Sequence, residues 1–153
     1  MIYFDGESYR EVADGIAYAN GINLDSKRNL LFVASPRSFL VNVYQRKENG
    51  EVDFIEAIDC GTGVDNIEFT PDGKIWIGCH PSLLTFTAYA KGKKPIAPSE
   101  IITIDYRGKG DYNKEVVFLD DGQNMSASTV AVVYQDYIFT GNVMDDHFLL
   151  LKQ

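Results

Sequence analysis

Short runs of alternating apolar and polar residues, punctuated by turn signals, make up most of this chain, and two of them match register for register. Ile22 and Leu24 flank Asn23, just as Ile67 and Phe69 flank Glu68 at an offset of 45 residues. A turn follows each, Asp25–Asn29 in one case and Thr70-Pro71-Asp72-Gly73 in the other. A second strand then reads Leu31–Ala34 or Ile75–Gly78. A more degenerate third copy runs Thr129–Val132, a Gln135-Asp136 turn, and Ile138–Gly141. Strand, tight turn, strand at a period of roughly 40–50 residues is the spacing of β-propeller blades rather than helical solenoids. Three unrelated hairpins of a β-sandwich would also alternate in this way. The shared local pattern, added to the spacing, favours the propeller.

Helical periodicity is almost absent, so the expected class is all-β. The expectation is one partial propeller domain over 1–153, with blades near 20–60, 65–122 and 125–153. Residues 1–14 then supply the outer strand of a preceding blade. In the first blade, Phe39–Tyr44 and Val52–Ile58 read as outer strands joined at Glu48-Asn49-Gly50, a hairpin signal. In the second, Leu83–Tyr89 and Glu100–Tyr106 read as strands on either side of the polar, proline-containing loop Lys91–Pro98. Glu115–Leu119 is a further strand, and Phe148–Leu151 is the last strand of the third blade. About three blades is short for a ring that needs about four or more, and sheet edges at both ends are left open.

Composition narrows the function classes. The 153 residues suit one ordinary domain, and 45% hydrophobic and 12% aromatic content describe a globular chain. A net charge of −8 and a pI near 4.6 argue against a nucleic-acid partner. No stretch approaches the ~18 apolar residues of a membrane span. Met1–Asp5 lacks the start of a secretion signal, which makes cytoplasmic the default expectation. Cys60 and Cys79 form neither a disulfide framework nor a zinc spacing and read as buried free thiols. Trp76 reads as core.

The chemistry concentrates where the repeats align. Asn20 and Asp65-Asn66 place amide and carboxylate oxygens just before matching strands, and propeller geometry would gather them at one end of the central axis. Calcium takes about six to eight such oxygens. Asn and Asp also cap turns and tolerate unusual backbone angles, so the pattern alone supports both readings. His80, in Gly78-Cys79-His80-Pro81, follows a strand and suits a rim loop. There it can shuttle a proton, touch substrate, or simply bond a local carbonyl. His147 reads as a surface residue beside a solvated Asp145-Asp146 turn. No Gly-x-Ser-x-Gly elbow exists, and Gly61-Thr62-Gly63 is too short for a phosphate loop.

In order and spacing, four motifs resemble the paraoxonase/arylesterase family: Ala19–Asn23, Val64–Ile67, Trp76–Pro81 and Ser128–Tyr134. That family belongs to the gluconolactonase-like and strictosidine-synthase-like six-bladed propellers. The resemblance covers nearly the whole chain and corresponds to the C-terminal half of the family. It implies calcium-dependent hydrolysis of lactones and aryl esters, with calcium polarising the carbonyl while water attacks. By matching position it implies Asn20, Asp65 and Asn66 as ligands of Ca2+ and His80 as a catalytic histidine at the active-site mouth. Tyr18, Val143 and Met144 fall at substrate-pocket positions. The family's remaining ligands, its second calcium and its histidine dyad lie in the half not represented here. The implied partners are therefore a small ester or lactone and a complementary half or second copy. The alternatives are a non-catalytic half-propeller and a truncated gene product.

Overall fold

The computed structural model describes residues 1–153 and consists of four small antiparallel sheets, none closed on itself. A two-stranded sheet pairs β1 (Ile2–Phe4) with β2 (Tyr9–Glu11). Residues 8–13 therefore belong to a short hairpin with Ile2–Phe4. Next comes a four-stranded meander of β3 (Ile22–Asp25), β4 (Leu30–Ser35), β5 (Leu40–Arg46) and β6 (Val52–Asp59). A second meander comprises β7 (Gly63–Phe69), β8 (Ile75–His80), β9 (Ser99–Gly108) and β10 (Asp111–Asp120). Three strands complete the chain: β11 (Ser128–Tyr134), β12 (Tyr137–Asn142) and β13 (Leu149–Lys152). Successive small meanders packed face to face are what part of a propeller looks like. No helix is long and apolar enough to cross a membrane.

The β7–β10 sheet lies in the middle, and its sequence shows it. All six residues of β8 are buried, so the run Ile75-Trp76-Ile77-Gly78-Cys79-His80 carries no polar face. Alternation sorts these residues between two cores. Ile75, Ile77 and Cys79 join Ile102 and Ile104 in packing against Phe32, Val41, Val43 and Ile58 of the β3–β6 sheet. Trp76 and Ile101 point the other way, onto Ala131 and Ile138 of the β11–β13 sheet. Trp76 is thus core, as expected. Cys60 and Cys79 are buried free thiols, and burial pushes Cys60 up to about 12 and Cys79 well above its ordinary value.

One expected strand is a helix. Leu83–Ala90 forms α1, the chain's one α-helix, where alternation suggested a strand over Leu83–Tyr89. The Ser82 hydroxyl caps it by accepting from the Thr85 amide at 3.4 Å, as a residue of this type does at a helix start. Leu83, Phe86 and Tyr89 turn inward at three-residue spacing while Leu84, Thr87 and Ala90 face out. Seven residues fit either period, and the cap decides for the helix.

Glycine sets how closely neighbouring sheets approach. A Cβ on Gly21 would lie 2.3 Å from the Asp65 carbonyl oxygen, and one on Gly78 would lie 2.2 Å from the Thr129 carbonyl carbon. Gly78→Ala must push the β7–β10 and β11–β13 sheets apart. It should cost about 2 kcal/mol or more in urea unfolding. Gly108→Ala, with nothing within 4 Å of the added carbon, should change stability by no more than about 0.5 kcal/mol.

Candidate functional site

Asp65 occupies a break in strand pairing. On β7, Val64 pairs with Cys79 and Ile67 with Ile77, which leaves Asp65 and Asn66 opposite Gly78 alone. Two residues against one is a β-bulge, a feature that re-aims side chains at the end of a sheet. Asp65 is consequently only 6% exposed. Its Oδ1 accepts a hydrogen bond from the Asn20 amide of the neighbouring sheet. Its Oδ2 lies 3.1 Å from Nε2 of His80.

His80 closes β8, opposite Gly63, and is buried rather than exposed in a rim loop. Its ring lies flat on Phe86 of α1, with centroids 4.0 Å apart and planes 6° from parallel. The partner of Nε2 is a carboxylate instead of a local carbonyl, and Nδ1 has no hydrogen-bond partner. An imidazole so held has one nitrogen committed to Asp65 and the other buried without a hydrogen-bond partner.

Around this pair lies a recess of about 530 Å³. Asn20, Asp65 and His80 give it a polar end, and Leu83, Leu84 and Phe86 of α1 form an apolar side. Tyr18, Pro36, Arg37 and Thr87 complete the lining. Tyr18 takes a left-handed conformation with φ 60°, and Ser35 Oγ fastens the segment by donating to the Ala17 carbonyl at 3.0 Å.

Of the residues singled out in the sequence, the structure brings Tyr18, Asn20, Asp65 and His80 into one recess. Asn66, half-buried in the bulge, does not line it, and neither do Val143 and Met144, which are exposed between β12 and β13. Asp145 is not part of a purely solvated turn. It accepts from Tyr89 Oη at 2.5 Å and from the Ser126 amide at 2.6 Å, tying α1 to the loops before β11 and after β12. Asp146 and His147 are exposed as expected, and His147 also bonds the Asn124 carbonyl at 2.8 Å. Sequence reasoning missed Arg37, Leu83, Leu84, Phe86 and Thr87. For the helical residues the signal was Ser82, a capping residue before a three-residue apolar spacing.

No three His, Cys, Asp or Glu side chains gather anywhere in the chain. Asp65, Asn20 and Asn66 are nevertheless oxygen donors of the kind a hard divalent cation prefers. Asn20 presents oxygen in place of nitrogen after a simple amide turn. Three side-chain donors fall short of the about six to eight that calcium takes. The residues fit such an ion in kind, and Asn20 and Asp65 share the recess.

A family model described as arylesterase matches residues 1–149. The chain belongs to the arylesterase family. Serum paraoxonase/arylesterase 1 of Homo sapiens is 29% identical over 144 residues, which is 94% of this chain and 40% of that protein. Serum paraoxonase/lactonase 3 of Oryctolagus cuniculus is 28% identical, and serum paraoxonase/arylesterase 2 of Rattus norvegicus 27%, each over the same shares. This arylesterase-family chain therefore spans about 40% of the length of the curated relatives it matches.

The Tyr89–Asp145 bond fixes α1, and with it the wall behind His80. Burial, followed by the bond to Asp145, pushes the Tyr89 hydroxyl from 10.0 up to about 12. A folded pKa above the unfolded one stabilises the fold fully below pH 10 and loses that contribution as pH rises toward 12. Tyr89→Phe should lower stability by about 1–2 kcal/mol near neutrality. In urea unfolding, the gap between variant and wild type should close between pH 10 and 12.

Proposed function

We propose that this arylesterase-family chain is part of a calcium-dependent hydrolase of carboxylic esters and lactones, built on a six-bladed propeller. The observation that carries the proposal is the meeting of Asn20, Asp65 and His80, from two sheets, at the polar end of one apolar-walled recess. Asn20, Asp65 and Asn66 would hold the ion. Calcium, when bound, supplies Lewis-acid polarisation of the scissile carbonyl.

The chain's own residues have separate tasks. Asn20 and His80 each engage one oxygen of the buried Asp65 carboxyl, so neither oxygen is left without a partner. His80 orients that carboxylate through Nε2, and its buried, unpartnered Nδ1 would exchange a proton only with a group admitted beside it. Phe86 fixes the imidazole plane and, with Leu83 and Tyr18, receives the apolar part of an ester while excluding solvent. Val143 and Met144 would reach a substrate only where a larger pocket extends past α1.

The incomplete donor set favours a role for a second contributor. The end sheets have two and three strands where the middle ones have four, so unpaired edges remain for a complementary half or a second copy. A half-propeller without chemistry is the competing reading.

Hydrolysis of phenyl acetate and a γ-lactone by purified protein at millimolar calcium separates the two. The proposal expects turnover that Asp65→Ala reduces about a hundredfold or more. No hydrolysis in any oligomeric state would sink it.

A further inference from the structure

The lining of the recess also includes one positive side chain. Arg37 is the only cationic residue lining it. Carboxylates outnumber basic side chains 22 to 14 in this chain, and most arginines have found one. Arg10 pairs with Glu51 at 3.3 Å, Arg28 with Asp25 at 2.6 Å, and Arg107 with Asp105 at 2.6 Å and Asp111 at 2.7 Å. Arg37 has no ion pair or hydrogen bond. Arg46 is likewise unpaired, but it ends β5 away from the recess.

A pinned backbone places Arg37 there. It is the middle residue of a 3-10 turn, Pro36–Ser38, whose first residue is a buried proline. Phe39 closes the turn in a left-handed conformation, φ 61°, and its amide donates to the Pro36 carbonyl at 3.2 Å. The Phe39 carbonyl in turn accepts from the Cys60 amide at 2.8 Å. The guanidinium therefore projects from a fixed turn at the end of β4, and its planar fork has no partner within the protein.

We propose that Arg37 is a specificity-determining residue that receives a carboxylate on the substrate, so that the recess selects esters with an apolar body and an anionic end. The proposal rests on the hydrolase reading for the word substrate, but its binding chemistry stands by itself. Asp65 repels an anion and Arg37 attracts it, while the apolar side chains of α1 receive the body of the molecule. Those charges orient a carboxylated ester with its scissile group toward Asp65 and His80. A guanidinium binds carboxylate through two parallel N–H···O bonds, a geometry a neutral amide or ester cannot reproduce.

Benzoate and benzamide are matched probes of this idea. Titrated into the full chain and followed by amide NMR, benzoate should shift resonances of Arg37, Phe86 and His80, and benzamide should bind more weakly. Arg37→Ala, an exposed position whose truncation leaves the core intact, should weaken benzoate about tenfold without changing benzamide. Arg37→Lys should fall between, since an ammonium attracts but does not fork. Unchanged benzoate affinity in Arg37→Ala would overturn the proposal. So would equal affinity for the two probes, or no benzoate shifts in the recess. With the benzoate result intact, a failure to hydrolyse both phenyl acetate and 4-acetoxybenzoate counts against the hydrolase reading alone.

Discussion

The buried carboxylate of Asp65 is the constraint around which this end of the molecule is organised. An ionised carboxylate removed from water costs several kcal/mol unless its oxygens are engaged, on the order given by desolvation of isolated ions. Here one oxygen takes the Asn20 amide and the other takes His80. Both partners must come from outside the strand that carries Asp65, so the sheets have to meet closely. Gly21 permits this, because any side chain there would strike the Asp65 backbone. The bulge supplies the direction, turning Asp65 toward the sheet end.

The constraint propagates outward. His80 satisfies Asp65 only when its ring is held edge-on to the carboxylate, and Phe86 sets that plane by stacking at 4.0 Å. Phe86 rides on α1, whose other end is fastened through Tyr89 to Asp145 in the connection between β12 and β13. A chain of contacts thus runs from Asn20, just before β3, to Asp145 beyond β12. The recess is therefore a junction between sheets rather than a feature of any one of them. That is also why the same acidic residue type serves elsewhere without forming a site. Asp120, for example, accepts from the Gly122 and Asn124 backbones and the Asn124 side chain within its own loop.

Much of this was legible in the residues. Alternation about Ile22, Ile67 and Ile75 located the strands, and the unbroken apolar run of β8 marks a strand buried on both faces. The matched positions of Asn20 and Asp65 led to two side chains that do meet. What escaped was tertiary. Leu83–Tyr89 satisfies a two-residue and a three-residue period alike, and only the Ser82 cap separates them. Asp145 looks solvated beside Asp146, because its partner Tyr89 lies 56 residues away. Arg37 carries no local signal at all, since its meaning lies in the absence of a partner. Asn66, adjacent to Asp65 in the same bulge, does not line the recess, and its sequence position alone could not show that.

The donor set gives the account its sharpest exposure to experiment. Asn20, Asp65 and Asn66 supply a fraction of a calcium shell, so in the proposed reading the chain by itself binds the ion weakly and at one place. A calcium titration followed by amide NMR tests this without requiring turnover. The account predicts progressive shifts at Asn20, Asp65 and Asn66, with an affinity of about millimolar order, as for sites with few protein ligands. Unmoved resonances at those three residues at about ten millimolar calcium, with shifts confined to the Asp120–Gly122 loop, would contradict it.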